Sequence, residues 1–323
     1  MQTPTSARIL SFDGGFDGIP SLGRIGRDAT TEREDDRMTT DNQTATPRIA
    51  DPALLRRTAE LAIGFLESLD ERPVAATATR DELLTALGGP LGGEGLPAEQ
   101  VIEHLARAAD PGLIAIPGPR YFGFVNGAAL PIALGSAWLT SAWDQNAALP
   151  VMSPVAAKLH AVTRRWLVDV LGLPSDTGVA FVSGATVANA SCLAAARDAL
   201  LADHGWDVQS DGLFGAPSLH VVVGERAHST LSKSLGLVGL GRSRVTVVPA
   251  DDQGRMRAEA LPDVDGPVLV CAQAGEVNTG AFDPFDAIAD WAATRSGWMH
   301  VDGAFGLWAL ADPTRSDLVQ GLD

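Results

Sequence analysis

The chain has 323 residues, of which 46% are hydrophobic and 34 are glycine, and a formal net charge of −16, enough to bury one large core or two modest ones. That charge excludes nucleic acid as a partner, because phosphate binding needs clustered Lys and Arg. No apolar run is long enough to span a membrane and no basic segment precedes an apolar one at the N-terminus, so neither a membrane span nor a secretory signal is expected and the expected location is cytoplasmic. Cys192 and Cys271, far apart and in apolar surroundings, read as buried reduced thiols and not as a disulfide or a metal site.

Residues 1–47 hold 5 Arg and 8 Asp or Glu, include the run Glu32-Arg33-Glu34-Asp35-Asp36-Arg37, and show no sustained periodicity. They read as a disordered N-terminal extension, with Met38 a candidate start. Ser11-Phe12-Asp13-Gly14-Gly15 is similar to the start of a patatin-type oxyanion loop, but the Gly-x-Ser-x-Gly nucleophile turn that such an acyl hydrolase needs occurs nowhere in the chain. Asp51-Pro52 is an N-cap followed by Pro at the first helical position. Leu54, Leu55, Leu61, Ala62, Phe65, Leu66 and Leu69 then recur at helical spacing. Gly88 to Gly95 reads as a linker, and Pro97 to Ala109 as a second helix with Val101, Ile102 and Leu105 on one face. Residues 48–118 thus form an N-terminal helical segment.

The aromatic stretch Pro119-Arg120-Tyr121-Phe122-Gly123-Phe124-Val125-Asn126 comes next. Ser153-Pro154 then starts a helix carrying Val155, Leu159, Val162, Trp166, Leu167 and Val170, which stops at Gly172 with Pro174 beyond. From residue 179 short β-branched runs alternate with helical stretches: Val179 to Val182, Leu219 to Val223, Val245 to Val248, Val268 to Cys271, and Met299 to Val301. This alternation predicts an α/β domain with a mostly parallel sheet and right-handed crossovers. Its loops gather at one sheet edge, where ligands of such folds bind.

Four of those loops carry chemistry. Ser183-Gly184-Ala185-Thr186 leads from a predicted strand into the helix Val187 to Leu201, so free backbone N–H groups and the positive end of the helix dipole make an anion site, although Ser-Gly-x-Thr is also a common helix cap. His228 follows the strand ending at Val223, in a position where a lone His is more often structural, with Ser229 able to cap the next helix. Ala274 to Pro284 follows another strand and contains Asn278 and Thr279, with Asp283-Pro284 as a structural helix cap. The run Trp298-Met299-His300-Val301-Asp302-Gly303-Ala304-Phe305-Gly306 reads as a buried strand ending in a carboxylate that needs a cation or a donor, because a buried unpaired charge is too costly to keep. Gly236 to Gly241 lacks a preceding strand and is a helix-ending turn, not a dinucleotide loop.

His300-Val301-Asp302-Gly303-Ala304 resembles the His-Val-Asp-Ala-Ala strand of the group II pyridoxal-phosphate (PLP) decarboxylases, the aromatic-L-amino-acid and glutamate decarboxylase-like family. The other motifs fall in family order across residues 50–323. The resemblance implies a fold type I, aspartate aminotransferase-like large domain over 119–323 that lacks its C-terminal small domain, in a homodimer across which the N-terminal helices pack. It implies PLP as cofactor and no metal, and decarboxylation of an L-amino acid to the amine and CO2, a lyase reaction of amino acid and carboxylic acid metabolism. Asp302 would pair with the protonated pyridine nitrogen, and His228 would stack on the ring beside the departing carboxylate; these are the two catalytic residues.

By the same match Ser183, Gly184, Ala185 and Thr186 form the phosphate loop, followed by Ala188-Asn189 as often in the family. Asn278 and Thr279 reach the cofactor edge, Ala304 packs the ring face opposite His228, and Tyr121 and Phe122 line the substrate entrance. Val187 and Gly303 depart from the family's acidic or polar residue and its alanine. The family's Schiff-base lysine lies beyond the His-Val-Asp strand, whereas the only lysines here are Lys158 and Lys233, so the chain is expected to be an inactive fragment as it stands. The alternatives are another fold type I PLP enzyme, a lyase or aminotransferase, or a noncatalytic dimeric scaffold; the motifs are shared by decarboxylases of many amino acids.

Overall fold

The computed structural model describes residues 51–90, 92, 93 and 95–322, so the 1–47 extension and the Ser11–Gly15 motif lie outside the described residues. Those residues divide into two compact units, 51–144 and 145–322.

In the first unit, α1 (Pro52–Glu67) starts where the sequence predicts. The Asp51 carboxylate accepts the N–H groups of Ala53 and Leu54 at 3.0 and 3.1 Å, and Pro52 supplies a preset φ. Helix α2 (Arg80–Leu87) lacks a strong apolar stripe and is held by its start. Thr79 Oγ1 accepts the Glu82 N–H while the Glu82 carboxylate accepts the Thr79 N–H, a reciprocal capping box. Helix α3 (Ala98–Ala109) packs on α1 and α2, with an Arg57–Glu103 ion pair to α1. Helix α4 (Pro131–Trp143) exposes Ile132, Trp138, Leu139 and Trp143. None of these four helices holds a buried residue, an unusual amount of open apolar surface for helices of this length.

The second unit begins with α5 (Pro154–Val170), capped by Ser153 Oγ accepting the Ala156 N–H, then α6 (Ala185–Ala202) and the single turn α7 (Val208–Asp211). Next in order are β1 (His220–Gly224), α8 (Ser229–Leu237), β2 (Val245–Val248), β3 (Val268–Gln273), α9 (Phe285–Ala293) and β4 (Trp298–Asp302). The strands form one fully parallel sheet in the order β2-β1-β3-β4, the predicted α/β class. One expectation fails: residues 179–182 are not a strand. A strand exists only by hydrogen-bonding to a neighbour, and this segment finds none, leaving Phe181 and Val182 exposed.

Both faces of the sheet are covered, which is why its strands read as continuous apolar runs. Side chains alternate between faces. Val221 and Val223 of β1 and Leu269 and Cys271 of β3 pack with Leu193, Ala196 and Leu200 of α6 and Leu231 and Leu235 of α8. Val222, Val268, Val270 and Ala272 point the other way onto Phe285, Ile288 and Ala292 of α9. Cys271 is buried as expected, but Cys192 is exposed, because it turns off α6 away from its neighbour Leu193, which faces the sheet. Since β1 is followed in space by β2 on one side and β3 on the other, the chain reverses direction across the sheet between β1 and β3. In such folds the crevice at the carboxyl ends beside that reversal is the binding position. No helix among the described residues is long and apolar enough to cross a membrane.

Candidate active site

The carboxyl ends of β1, β3 and β4 deliver Gly224, Cys271 to Gln273, and Asp302 to one small cleft, which Arg226, His228 and Asp283 also line. The sheet register makes this grouping, since Gln273 stands opposite Asp302 and Cys271 opposite His300. His228 is the N-cap of α8, the position predicted for Ser229. Its Nδ1 accepts the Thr230 N–H at 3.3 Å and lies 2.9 Å from Thr230 Oγ1. Because a backbone N–H can only donate, Nδ1 is the bare nitrogen and the proton of the neutral ring sits on Nε2. The Gln273 side chain pins this turn by accepting the His228 N–H at 3.2 Å.

Three carboxylates stand near this edge and have different surroundings. Asp283 is buried and accepts from Met256 N and Gln273 N, both at 2.7 Å, so it ties β3 to the loop before it and does not cap α9, whose N-cap is Pro284. Burial raises its carboxyl above the usual range despite those two bonds. Glu276 is also buried and collects the Asn278 N–H, the Asn278 side-chain amide and the Thr279 N–H at 2.7 to 2.8 Å. Burial pushes its carboxyl up, and these hydrogen bonds outweigh that and hold it below the usual range. Asp302 alone is half-buried at the sheet's end, accepting from Asn189 Nδ2 at 3.1 Å and the Ala304 N–H at 3.2 Å. Both of its donors are neutral, so its charge remains available to a cationic group.

Behind Asp302 lies His300, two residues earlier on β4 and therefore on the same face of the sheet. It is buried, and its Nε2 is 2.8 Å from Asn189 Oδ1. Burial lowers its imidazole to about 4, against the pull of the Asp302 charge. The same burial, with Asp302 adding to it, pushes the Cys271 thiol up to about 12.

The phosphate-loop candidates sit at the start of α6: Gly184 is its N-cap and Ala185 its first residue, so the loop presents the first-turn N–H groups that have no intrahelical acceptor. Thr186 lies one turn ahead of Asn189 on the same helix, and its carbonyl is fixed by Ser234 Oγ at 2.9 Å. Ser183, Gly184 and Ala185 are exposed, as is Ala304. The structure thus brings His228, Asp302, Ala304 and the α6 end to one edge. Asn278 and Thr279 are exposed in the β3–α9 loop, where their donors serve Glu276 and the Gln253 carbonyl. Tyr121 and Phe122 belong to the helical unit, Phe122 being 93% exposed. Lys158 and Lys233 are exposed on α5 and α8, and neither lines the cleft. Among the described residues no cluster of His, Cys, Asp or Glu is placed to hold a metal ion.

Sequence reasoning passes over Asn189, Thr230, Gln273, Glu276 and His300 as working residues. For His300 the signal was there: residues two apart on a strand share a face, so the side chain beside a functional Asp302 had to be His300.

Residues 91–323 match the family model described as the pyridoxal-dependent decarboxylase conserved domain. The chain belongs to this decarboxylase family. Cysteine sulfinic acid decarboxylase of Mus musculus is 30% identical over 250 residues, covering 75% of this chain and 50% of the relative, and tryptophan decarboxylase 1 of Oryza sativa is 26% identical over 290 residues, covering 83% and 56%. A crystal structure of mouse CSAD superposes with a TM-score of 0.74 at 26% identity, covering 84% of this chain and 59% of that one. The rice TDC structure with PLP and tryptamine gives 0.74 at 23% identity over 86% and 60%, a likeness of fold. The parallel α/β unit is therefore that of the PLP decarboxylases' large domain, fold type I. The chain spans about half the length of the curated relatives it matches.

Proposed function

We propose that the whole protein carrying this chain is a PLP-dependent decarboxylase that converts an L-amino acid to the amine and CO2, and that this chain holds its cofactor site. The observation that carries the reading is Asp302, a carboxylate at the carboxyl end of β4 in a parallel sheet, held by neutral donors only and facing the cleft that His228 also lines. The donor set fits PLP at both ends. A phosphate suits the first turn of α6 with the Thr186 hydroxyl, Ser183, Gly184 and the Ala185 N–H, and a protonated ring nitrogen suits Asp302.

When bound, PLP supplies a protonated heteroaromatic ring that takes up the electron pair left by departing CO2. Asp302 keeps the proton on the ring nitrogen, because an ion pair favours the charged form. His228, with its proton on Nε2, offers a donor and a flat face at the cleft. Ala304, beside Asp302, is small enough to leave room for a ring, and Asn278 and Thr279, in the loop that folds around Glu276, are assigned to the cofactor edge. Tyr121 and Phe122 are assigned to the substrate entrance. The exposed apolar surface of α1–α4 supports a homodimer in which a second copy covers it, and a cytoplasmic location goes with this reading.

The test offers PLP and a panel of acidic and aromatic L-amino acids to the whole protein, with absorbance reporting cofactor binding and mass spectrometry reporting amine. Saturable PLP binding that Asp302→Ala weakens about tenfold or more is expected, the size of a lost hydrogen bond between charged groups, with amine produced from at least one member. Absence of PLP binding, or equal binding by Asp302→Ala, overturns the assignment.

A further inference from the structure

Asn189 is an uncharged residue, 5% exposed, in the first half of a helix whose neighbours on the same face are Leu193, Ala196 and Leu200. A buried amide among leucines is costly unless its polar atoms are paired. Those of Asn189 are paired in a definite sense. Nδ2 donates to Asp302 Oδ2 at 3.1 Å and lies 3.5 Å from Thr230 Oγ1, while Oδ1 is 2.8 Å from His300 Nε2. An ionised carboxylate can only accept, so the NH2 group must face Asp302 and the oxygen must face His300. That in turn requires a proton on His300 Nε2, which the neutral ring favoured by burial carries in its Nε2–H tautomer.

We propose that Asn189 is the positioning residue of this site: it holds the Asp302 carboxylate at the angle its ring-nitrogen partner needs, and His300 locks the amide so that it cannot turn over. The inference rests on the PLP reading above and deepens it. Two features favour an amide in this place. An Arg or Lys here would satisfy the carboxylate's charge and compete with a cationic ligand, whereas a neutral donor fixes geometry and leaves the charge intact. A single Asn N–H also leaves its second proton for Thr230 Oγ1, whose own hydrogen is aimed at His228 Nδ1. One amide therefore touches the carboxylate that would meet the edge of a bound ring and, through Thr230, reaches the His228 that would meet its face.

The test compares the wild-type chain with Asn189→Leu and Asn189→Ala, variants that lose the donor and bring no titratable proton. The probes are pyridoxamine 5′-phosphate, which needs no lysine, and its 1-deaza analogue, which lacks the ring nitrogen. A positioning role predicts that both variants bind pyridoxamine phosphate about tenfold more weakly, one charge-assisted hydrogen bond, yet bind the deaza analogue as wild type does. The ring-nitrogen ¹⁵N shift of the bound ligand moves toward the unprotonated value. A core control on the same helix, Leu200→Ala, lowers the melting temperature and leaves the ¹⁵N shift unchanged.

Equal weakening toward both ligands, or an unmoved ¹⁵N shift, overturns the proposal and makes Asn189 structural only. The ligand-free protein gives a second readout. The Ala304 amide proton, bonded to Asp302 Oδ1, loses its exchange protection in both variants, and retained protection overturns the proposal. If wild type binds neither ligand, the PLP reading fails, and Asn189 is judged on the Ala304 amide alone.

Discussion

Replacing His300 with glutamine should flatten the acid dependence of stability. The ring is 6% exposed, donates from Nε2 to Asn189, and stays neutral down to about 4 because burial disfavours its charged form. In the unfolded chain the same imidazole takes up a proton near 6.5. The folded ring binds that proton less readily than the unfolded one, so acid favours unfolding. The contribution is fully present above about 6.5 and is lost as pH falls toward 4. One pKa unit corresponds to about 1.4 kcal/mol, so the interval from about 6.5 to about 4 withdraws roughly 3 kcal/mol in all, with about 2 kcal/mol gone by pH 5.

Glutamine keeps an amide donor for Asn189 Oδ1 and has nothing to titrate. Urea unfolding followed by circular dichroism at pH 7 and pH 5, in wild type and His300→Gln, isolates this one group, because the carboxylates titrate alike in both proteins. The expected result is that wild type loses about 2 kcal/mol more than the variant between the two pH values. Equal losses, or a His300 ring resonance that titrates near 6.5 in the native protein, would show that the ring is not held neutral by burial.

Two further outcomes can be checked directly. Thr186→Val should raise the dissociation constant for PLP by roughly ten- to a hundredfold, as expected for a hydroxyl lost from a phosphate contact, and an unchanged constant removes Thr186 from the phosphate site. With its thiol pushed up to about 12 and its side chain buried, Cys271 should resist iodoacetamide in the native protein while exposed Cys192 reacts; native labelling of Cys271 at the rate of Cys192 would contradict the packing of β3.

The parallel sheet was legible because β1, β3 and their helices are covered on both faces, which writes itself into the sequence as runs such as Val221-Val222-Val223 and Val268-Leu269-Val270. The helix starts at Asp51-Pro52 and Ser153-Pro154 were equally open, since capping is a local rule. Thr79-x-x-Glu82 obeys the same rule but escapes notice, because α2 has no apolar stripe to draw attention to it. Residues 179–182 mislead for the converse reason: β propensity is local, whereas a strand needs a partner that propensity cannot supply.

At the site, the chain motifs lead to Asp302, His228 and the α6 start, yet the groups that hold them stay hidden. Asn189 meets Asp302 across 113 residues of chain and His300 across 111. No spacing rule reaches that far, because the contact is made by the packing of α6 on β4. Glu276 hides differently. A lone Glu in a loop reads as solvated, and only burial turns it into the acceptor that Asn278 and Thr279 fold around.

Gly303 shows how one departure from a family motif is answered by a neighbouring residue. Where the resembled strand has alanine, a Cβ built here would stand 2.8 Å from Leu307 Cβ, closer than carbon atoms pack. Leu307 is the second residue of the 3-10 turn Gly306–Ala311, and its N–H already bonds the Gly303 carbonyl at 3.3 Å, so the two residues cannot separate without losing that bond. Gly303→Ala should therefore destabilise by about 1–3 kcal/mol through overpacking, offset by roughly 0.4–1 kcal/mol from the stiffer unfolded chain. The opposing atom is a Cβ, which makes the cycle diagnostic. Leu307→Gly removes the clash and should rescue Gly303→Ala, whereas Leu307→Ala keeps the same Cβ and should not. Rescue by both, or a Gly303→Ala variant more stable than wild type, would refute the contact. Because Ala304 N–H and Asp302 flank this residue, the unrescued variant should also bind PLP more weakly, through the carboxylate it displaces.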